Sequence, residues 1–190
     1  MRFSANTYCD LIVNATRETI PSVEYDEILD ILVDCYKQKG IVFTMGCGGS
    51  ASTASHFTAD LAKTVGGFKS ICLSDNVSLV SALTNDLGWP RSFDYQLETW
   101  ITDKDVLVGF SVHGGSKDWS QNLVRAMQMA KQRGAKVIGF TSSQGGEMEK
   151  MSDVCLCVPT RNDLYDTPVS EGMHVVLAHG LAFDLKERIK

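Results

Sequence analysis

The sequence predicts an α/β protein: a three-layer, doubly wound sandwich built on a five-stranded, mainly parallel sheet, with two helices ahead of the first strand. Three observations carry that prediction. Five short apolar runs recur along the 190 residues, amphipathic stretches separate them, and two of the runs end in glycine- and serine-rich turns that open a helix.

The elements follow in order. Residues 5–18 place Tyr8, Leu11, Ile12 and Ala15 at helical spacing, and residues 22–38 do the same with Val23, Ile28, Ile31, Leu32 and Cys35 before Gly40 ends the pattern. "GIVFTMG" is the first strand. "SICLS" (70–74), "DVLVGFS" (105–111), "AKVIGFT" (135–141) and "DVCLCVP" (153–159) are the others. Helical patterns cover 53–64, 77–84, 92–101, 119–133 and 167–189. No repeat, low-complexity tract or linker interrupts the chain, and only four prolines occur, so residues 1–190 read as a single domain.

Composition narrows the function. Hydrophobic residues make up 44% of the chain, enough for one full core. The net charge of −5 leaves no basic stripe for a phosphodiester backbone, which argues against nucleic-acid binding. Cys9, Cys35, Cys47, Cys72, Cys155 and Cys157 lack CxxC spacing and read as reduced thiols. Neither a secretory h-region nor a membrane span is visible, so a soluble cytoplasmic protein is expected.

In this fold ligands bind at the carboxyl ends of the strands. Two loops there stand out, "GCGGSAS" after the first strand and "SVHGGSKDWS" after the third. Each offers backbone N–H groups, hydroxyls and the positive end of a helix to a phosphate. Gly46, Gly48 and Ala51 also satisfy the dinucleotide pattern G-x-G-x-x-G/A, with Asp75 as a candidate ribose ligand. Two helices before the first strand, and a second serine-rich loop with no task in that reading, favour a phosphorylated sugar.

Downstream, His56 and Asp60 are four residues apart and share a helix face. "VSEGMHVVLAHGLAFDL" is strongly apolar yet carries Glu171, His174 and His179, and ionisable groups in a core-packed helix need partners. Glu171 and His179 lie about 80° apart on a helical wheel and the two histidines about 140° apart. One histidine can join Glu171; spacing alone does not choose which.

These residues together resemble a sugar isomerase (SIS) domain of flavodoxin-like fold, and within it the phosphoheptose isomerase (sedoheptulose 7-phosphate isomerase) family. "GCGGSASTASHFTADL" resembles the family's Gly-Asn-Gly-Gly-Ser loop followed by His-Phe and an acid. "TNDLGW" resembles its Asn-Asp motif, and "EGMHVVLAH" its last-helix motif with two histidines five apart. The resemblance covers almost the whole chain.

It implies an aldose–ketose isomerisation through an enediol, with Asp60 and His179 as the proton-transferring pair. It implies one zinc per site, on His56, Asp60, Glu171 and His179. His174 is then the structural histidine. The sugar phosphate would be held by Ser111, Val112, His113 and Ser116, by Cys47, Gly48, Gly49 and Ser50 of the first loop, by Asp60 and Glu171, and through its hydroxyls by Asn85 and Asp86. The product would feed nucleotide-activated heptose synthesis for lipopolysaccharide or capsule. The family forms homotetramers with sites built between subunits. The amphipathic helices of residues 1–40, with Trp89, Trp100 and Trp119, are candidates for such contacts.

Several positions depart from the family pattern. Cys47 replaces the common asparagine, Asp60 a glutamate and Glu171 a glutamine, and Ser111-Val112-His113 stands for Ser-Thr-Ser, with "KDWSQ" inserted before Asn122. Two other readings share the fold: a non-catalytic sugar-phosphate or protein-binding module of the replication-initiator-binding type, and an isomerase of another sugar phosphate. Retention of the acid–base and metal set argues against the first.

Overall fold

A computed structural model of the chain describes residues 4–160 and 165–190. Helices α1 (Ala5–Thr19) and α2 (Val23–Lys37) come first, started by Ser4 and Ser22, whose hydroxyls accept from the N–H of Thr7 and Tyr25. There follow β1 (Ile41–Met45), α3 (Gly49–Ala59), β2 (Lys69–Cys72), α4 (Val77–Leu87), α5 (Asp94–Trp100), β3 (Val106–Phe110), α6 (Gln121–Gln132), β4 (Lys136–Ser142), α7 (Gly146–Met151), β5 (Val154–Val158) and α8 (Asp166–Arg188).

The five strands form one sheet in the order β2-β1-β3-β4-β5, every pair parallel. Strand order reverses between β1 and β3, the place where doubly wound sheets open a crevice for ligands. These are the two strands that run into the glycine-rich loops.

Because side chains alternate across a strand, the runs supply both faces of the sheet. Val42, Val106, Val108, Phe110, Ile138, Phe140, Val154, Leu156 and Val158 face α1, α2, α3 and α8. Phe43, Met45, Leu107 and Val137 face α5, α6 and α7. Each fully buried Leu or Phe contributes about 1.5–3 kcal/mol of transfer free energy before entropy is counted. The apolar stripes of α1 and α2 pack on α8 and β5 of the same chain through Ala15, Tyr25, Ile28, Leu29 and Leu32, leaving Val13, Ile20 and Val23 exposed.

Three local features differ from the sequence expectation. The helix expected at 53–64 begins at Gly49 and passes at Asp60 into a π-helical turn through Gly66. The helix expected from 119 starts at Gln121, after Ser120 in the left-handed region (φ 48). The short helix α7 was not expected at all. Among the described residues, no helix is long and apolar enough to cross a membrane.

Candidate active site

The first loop is shaped by three close approaches. Gly48 has φ +59 and ψ −126, a conformation that a Cβ disfavours. At Gly46 an added Cβ would stand 2.4 Å from the Ser50 backbone, and at Gly49 it would stand 2.5 Å from Glu171 Oε1 on α8. The start of α3 is therefore pressed against its own loop and against the first half of α8. Thr44 of β1 secures the arrangement, donating to the Ala54 carbonyl at 2.9 Å.

The second loop leaves β3 at Ser111, whose hydroxyl accepts from the Gly114 N–H at 3.1 Å. Gly114 (φ +65) packs on Gly145, where a Cβ would fall 1.9 Å from the carbonyl oxygen. Ser116 Oγ accepts from the N–H groups of Asp118 and Trp119 at 3.0 and 3.2 Å. Its lone pairs thus serve the loop, and the inserted segment closes as a compact turn that carries Trp119.

Between the loops lies a cavity of about 300 Å³, lined by Cys47, Ser50, Ser111, Val112, His113, Trp119, Ser120, Thr167 and Glu171, with Phe110 and Leu123 at its base. Asn122 Nδ2 donates to Cys47 Sγ at 3.3 Å, while burial raises the Cys47 thiol pKa above its ordinary value and keeps it protonated. His113 Nδ1 and Asn122 Oδ1 are buried with no hydrogen-bond partner among the described residues. Trp119, missed as a site residue by sequence reasoning, stacks on His113 with ring centroids 6.1 Å apart and 28° between planes. Its position inside an insertion was the only signal.

Further along the same pair of helices, His56, Asp60 and His179 converge. Asp60 is buried, and its Oδ2 lies 3.5 Å from His56 Nε2 and 3.2 Å from His179 Nδ1. Neither contact has hydrogen-bond geometry, so Oδ2 is a buried oxygen without a hydrogen bond. Oδ1 accepts from the Thr64 hydroxyl at 2.9 Å, a bond made across the π-helical turn. The imidazole rings meet edge to face, with centroids 4.8 Å apart. The ligand atoms of the three residues all lie within 4.8 Å of one another.

The two histidines of α8 are separated by the packing. His174 is fully buried, flanked by Phe110 and Phe140, with Nε2 3.4 Å from the Thr141 carbonyl. Burial lowers its pKa to about 4, so the ring is neutral. His179 is half exposed and faces Asp60. Glu171 sits two turns before His179, roughly 12 Å along the helix, with its carboxylate at Gly49 and in the loop cavity rather than within the trio. Asn85 and Asp86, at the end of α4, are exposed and bonded to each other; neither lines the cavity nor joins the trio.

The SIS domain model matches residues 9–142 of the chain, a span that includes both loops, His56 and Asp60. The chain belongs to the SIS domain family. A phosphoheptose isomerase of Citrifermentans bemidjiense is 31% identical over 188 residues, 95% of this chain and 91% of that one, which places the chain among the phosphoheptose isomerases of that family. The lincomycin biosynthesis protein LmbN of Streptomyces lincolnensis is 42% identical over 158 residues, 80% of this chain; the match spans 58% of that relative's length. Among solved structures, the phosphoheptose isomerase GmhA of Neisseria gonorrhoeae superposes with a TM-score of 0.85 at 26% identity, covering 96% of each chain. This SIS chain thus shares its architecture with that solved structure.

Proposed function

We propose that the protein interconverts the ketose and aldose forms of a phosphorylated sugar, sedoheptulose 7-phosphate being the favoured substrate and D-glycero-D-manno-heptose 7-phosphate the product. One observation carries the reading. The loop cavity and the His56–Asp60–His179 trio both lie where α8 packs along α3 and the turn that follows it, about two helical turns apart. That arrangement suits an extended chain with phosphate at one end and a reacting carbonyl at the other.

In this reading Asp60 Oδ2, set between the two imidazoles with its other oxygen fixed by Thr64, removes the proton alpha to the carbonyl. The C–H electron pair becomes the enediol double bond, and His179 gives a proton to the carbonyl oxygen. Asp60 returns its proton to the neighbouring carbon, and His179 recovers one from the other hydroxyl. Ser50 with Cys47, Gly48 and Gly49 at the start of α3, and Ser111, Val112 and His113 after β3, anchor the phosphate through hydroxyls and backbone N–H groups, while Ser116 holds the second loop in shape.

The donor set also fits zinc. Two imidazoles and a carboxylate are zinc ligands in type, and tetrahedral ligands at about 2.0–2.1 Å from a metal lie about 3.4 Å from one another. The Asp60 contacts of 3.5 and 3.2 Å bracket that value, and its Oδ2 lacks a hydrogen bond. His56, Asp60 and His179 would hold the ion; Glu171, expected from the resemblance as a fourth ligand, has its carboxylate at Gly49, two turns from the trio. When bound, zinc would engage the Asp60 and His179 atoms that carry protons in its absence, and would supply Lewis-acid polarisation of the sugar carbonyl in their place.

Assembly belongs to the same proposal. Val175, Val176 and Phe183 are exposed on α8 beside His179, and Asn85 and Asp86 stand outside their own chain's site. A cytoplasmic homotetramer would cover that apolar face and bring Asn85 and Asp86 of one copy to the sugar hydroxyls of another. Gel filtration that gave a monomer would contradict it.

The test is proton NMR of the purified protein with sedoheptulose 7-phosphate in D2O, with zinc and again with a chelator. An aldose signal bearing solvent deuterium at the exchanged carbon is expected, and its loss on chelation assigns the metal to the reaction. No exchange from a folded oligomer in either condition would remove the heptose assignment.

A further inference from the structure

On the edge strand β5, Cys155 and Cys157 alternate with Val154, Leu156 and Val158. The period of two sends the three aliphatic side chains into the core with α8 and turns both thiols to the opposite face of the sheet. The two sulfurs are 3.9 Å apart, and Thr141 Oγ1 of β4 lies 3.2 Å from Cys157 and 3.7 Å from Cys155. A cavity of about 330 Å³ opens on them. Glu18, Glu24 and Glu149 line it, and among the described residues no lysine, arginine or histidine does.

The carboxylates of the cavity attract cations and repel anionic thiol reagents. A direct disulfide is a poor fit, since residues two apart on an extended strand are separated by about 6.6 Å, near the outer limit for a bridge. A guest between the sulfurs fits better: with metal–sulfur bonds of about 2.3 Å in tetrahedral geometry, two thiolates lie about 3.8 Å apart.

We propose that Cys155 and Cys157 form a second metal site, a dithiolate clamp for a soft d10 cation of the zinc and cadmium type, with Glu149 of α7 and the other cavity carboxylates supplying the negative field around it. Binding exchanges two thiol protons for one divalent ion, and the protons pass to solvent. The site is independent of the His56–Asp60–His179 trio, which offers no sulfur.

The test titrates the reduced full chain with cadmium chloride and follows the thiolate-to-cadmium charge-transfer absorption, which nitrogen and oxygen ligands do not produce. The band should saturate at one cadmium per chain, vanish in Cys155→Ser and in Cys157→Ser, persist in Cys9→Ser, and need about tenfold more cadmium in Glu149→Gln. A band that survives both β5 substitutions, or no band in the wild type, would overturn the proposal. A measurement on the wild type alone guards against misfolded variants: bound cadmium should protect Cys155 and Cys157 together from alkylation, read by peptide mass spectrometry, and equal labelling with and without cadmium would also overturn it.

Discussion

The inward and outward faces of α8 carry one histidine each, five residues apart, and the packing makes them chemically opposite. On the inward face, His174 is sealed between Phe110 and Phe140 and kept neutral by burial. On the outward face, His179 stands half exposed against the buried carboxylate of Asp60. The residue type is the same; desolvation and the neighbouring charge decide whether the ring is core or reagent. The contrast can be broken or sharpened experimentally.

The largest effect is expected from His179→Ala, which should lower turnover about 10²- to 10⁴-fold, the usual reach of a positioned acid–base group, with little change in unfolding free energy. Near-normal isomerisation by that variant would remove His179 from the chemistry.

Next comes pH. The His174 pKa falls from 6.5 to about 4 on folding, so between those values the unfolded chain binds the extra proton. Its contribution is intact above pH 6.5 and is lost as pH falls toward 4, amounting to about 3 kcal/mol at the acid end. Urea titrations of the wild type from pH 7 to 4 should show that slope, and His174→Ala should flatten it. At pH 7 the same substitution should cost about 2 kcal/mol through the cavity it leaves, while the folded fraction still turns over substrate. Loss of turnover without loss of stability in His174→Ala would erase the distinction between the faces.

The smallest effect is expected from Glu171→Gln, on the outward face but two turns from His179. Zinc affinity, read by competition with a chelating dye, should fall less than tenfold. A fall as large as that from His56→Ala would draw Glu171 into the trio.

Much of this was legible along the chain. The five apolar runs became the five strands; the central ones, β1, β3 and β4, are buried on both faces and read as continuous hydrophobic segments. Both glycine-rich loops lie at the strand ends flanking the reversal of strand order. Helix α7 escaped because six residues carry too little periodicity to register. The π-helical turn that begins at Asp60 has no spacing signature, since its register is set by packing on α8. Asn85 and Asp86 were expected at the sugar, and within one chain they stand apart from it, because where α4 lies relative to another copy is not written in its own turn.

The order of elements, the anion-friendly loops and the pairing of His56 with Asp60 on one helix face were determined by the sequence itself, because they depend on residues close together in the chain. Which histidine of α8 meets Asp60, that Glu171 stops at Gly49, and that Cys155 and Cys157 share an acidic cavity were decided only by the tertiary structure. Those outcomes depend on which side of α8 is covered by β4 and on which helices flank β5, and contacts between residues dozens to more than a hundred positions apart leave no local periodicity to read.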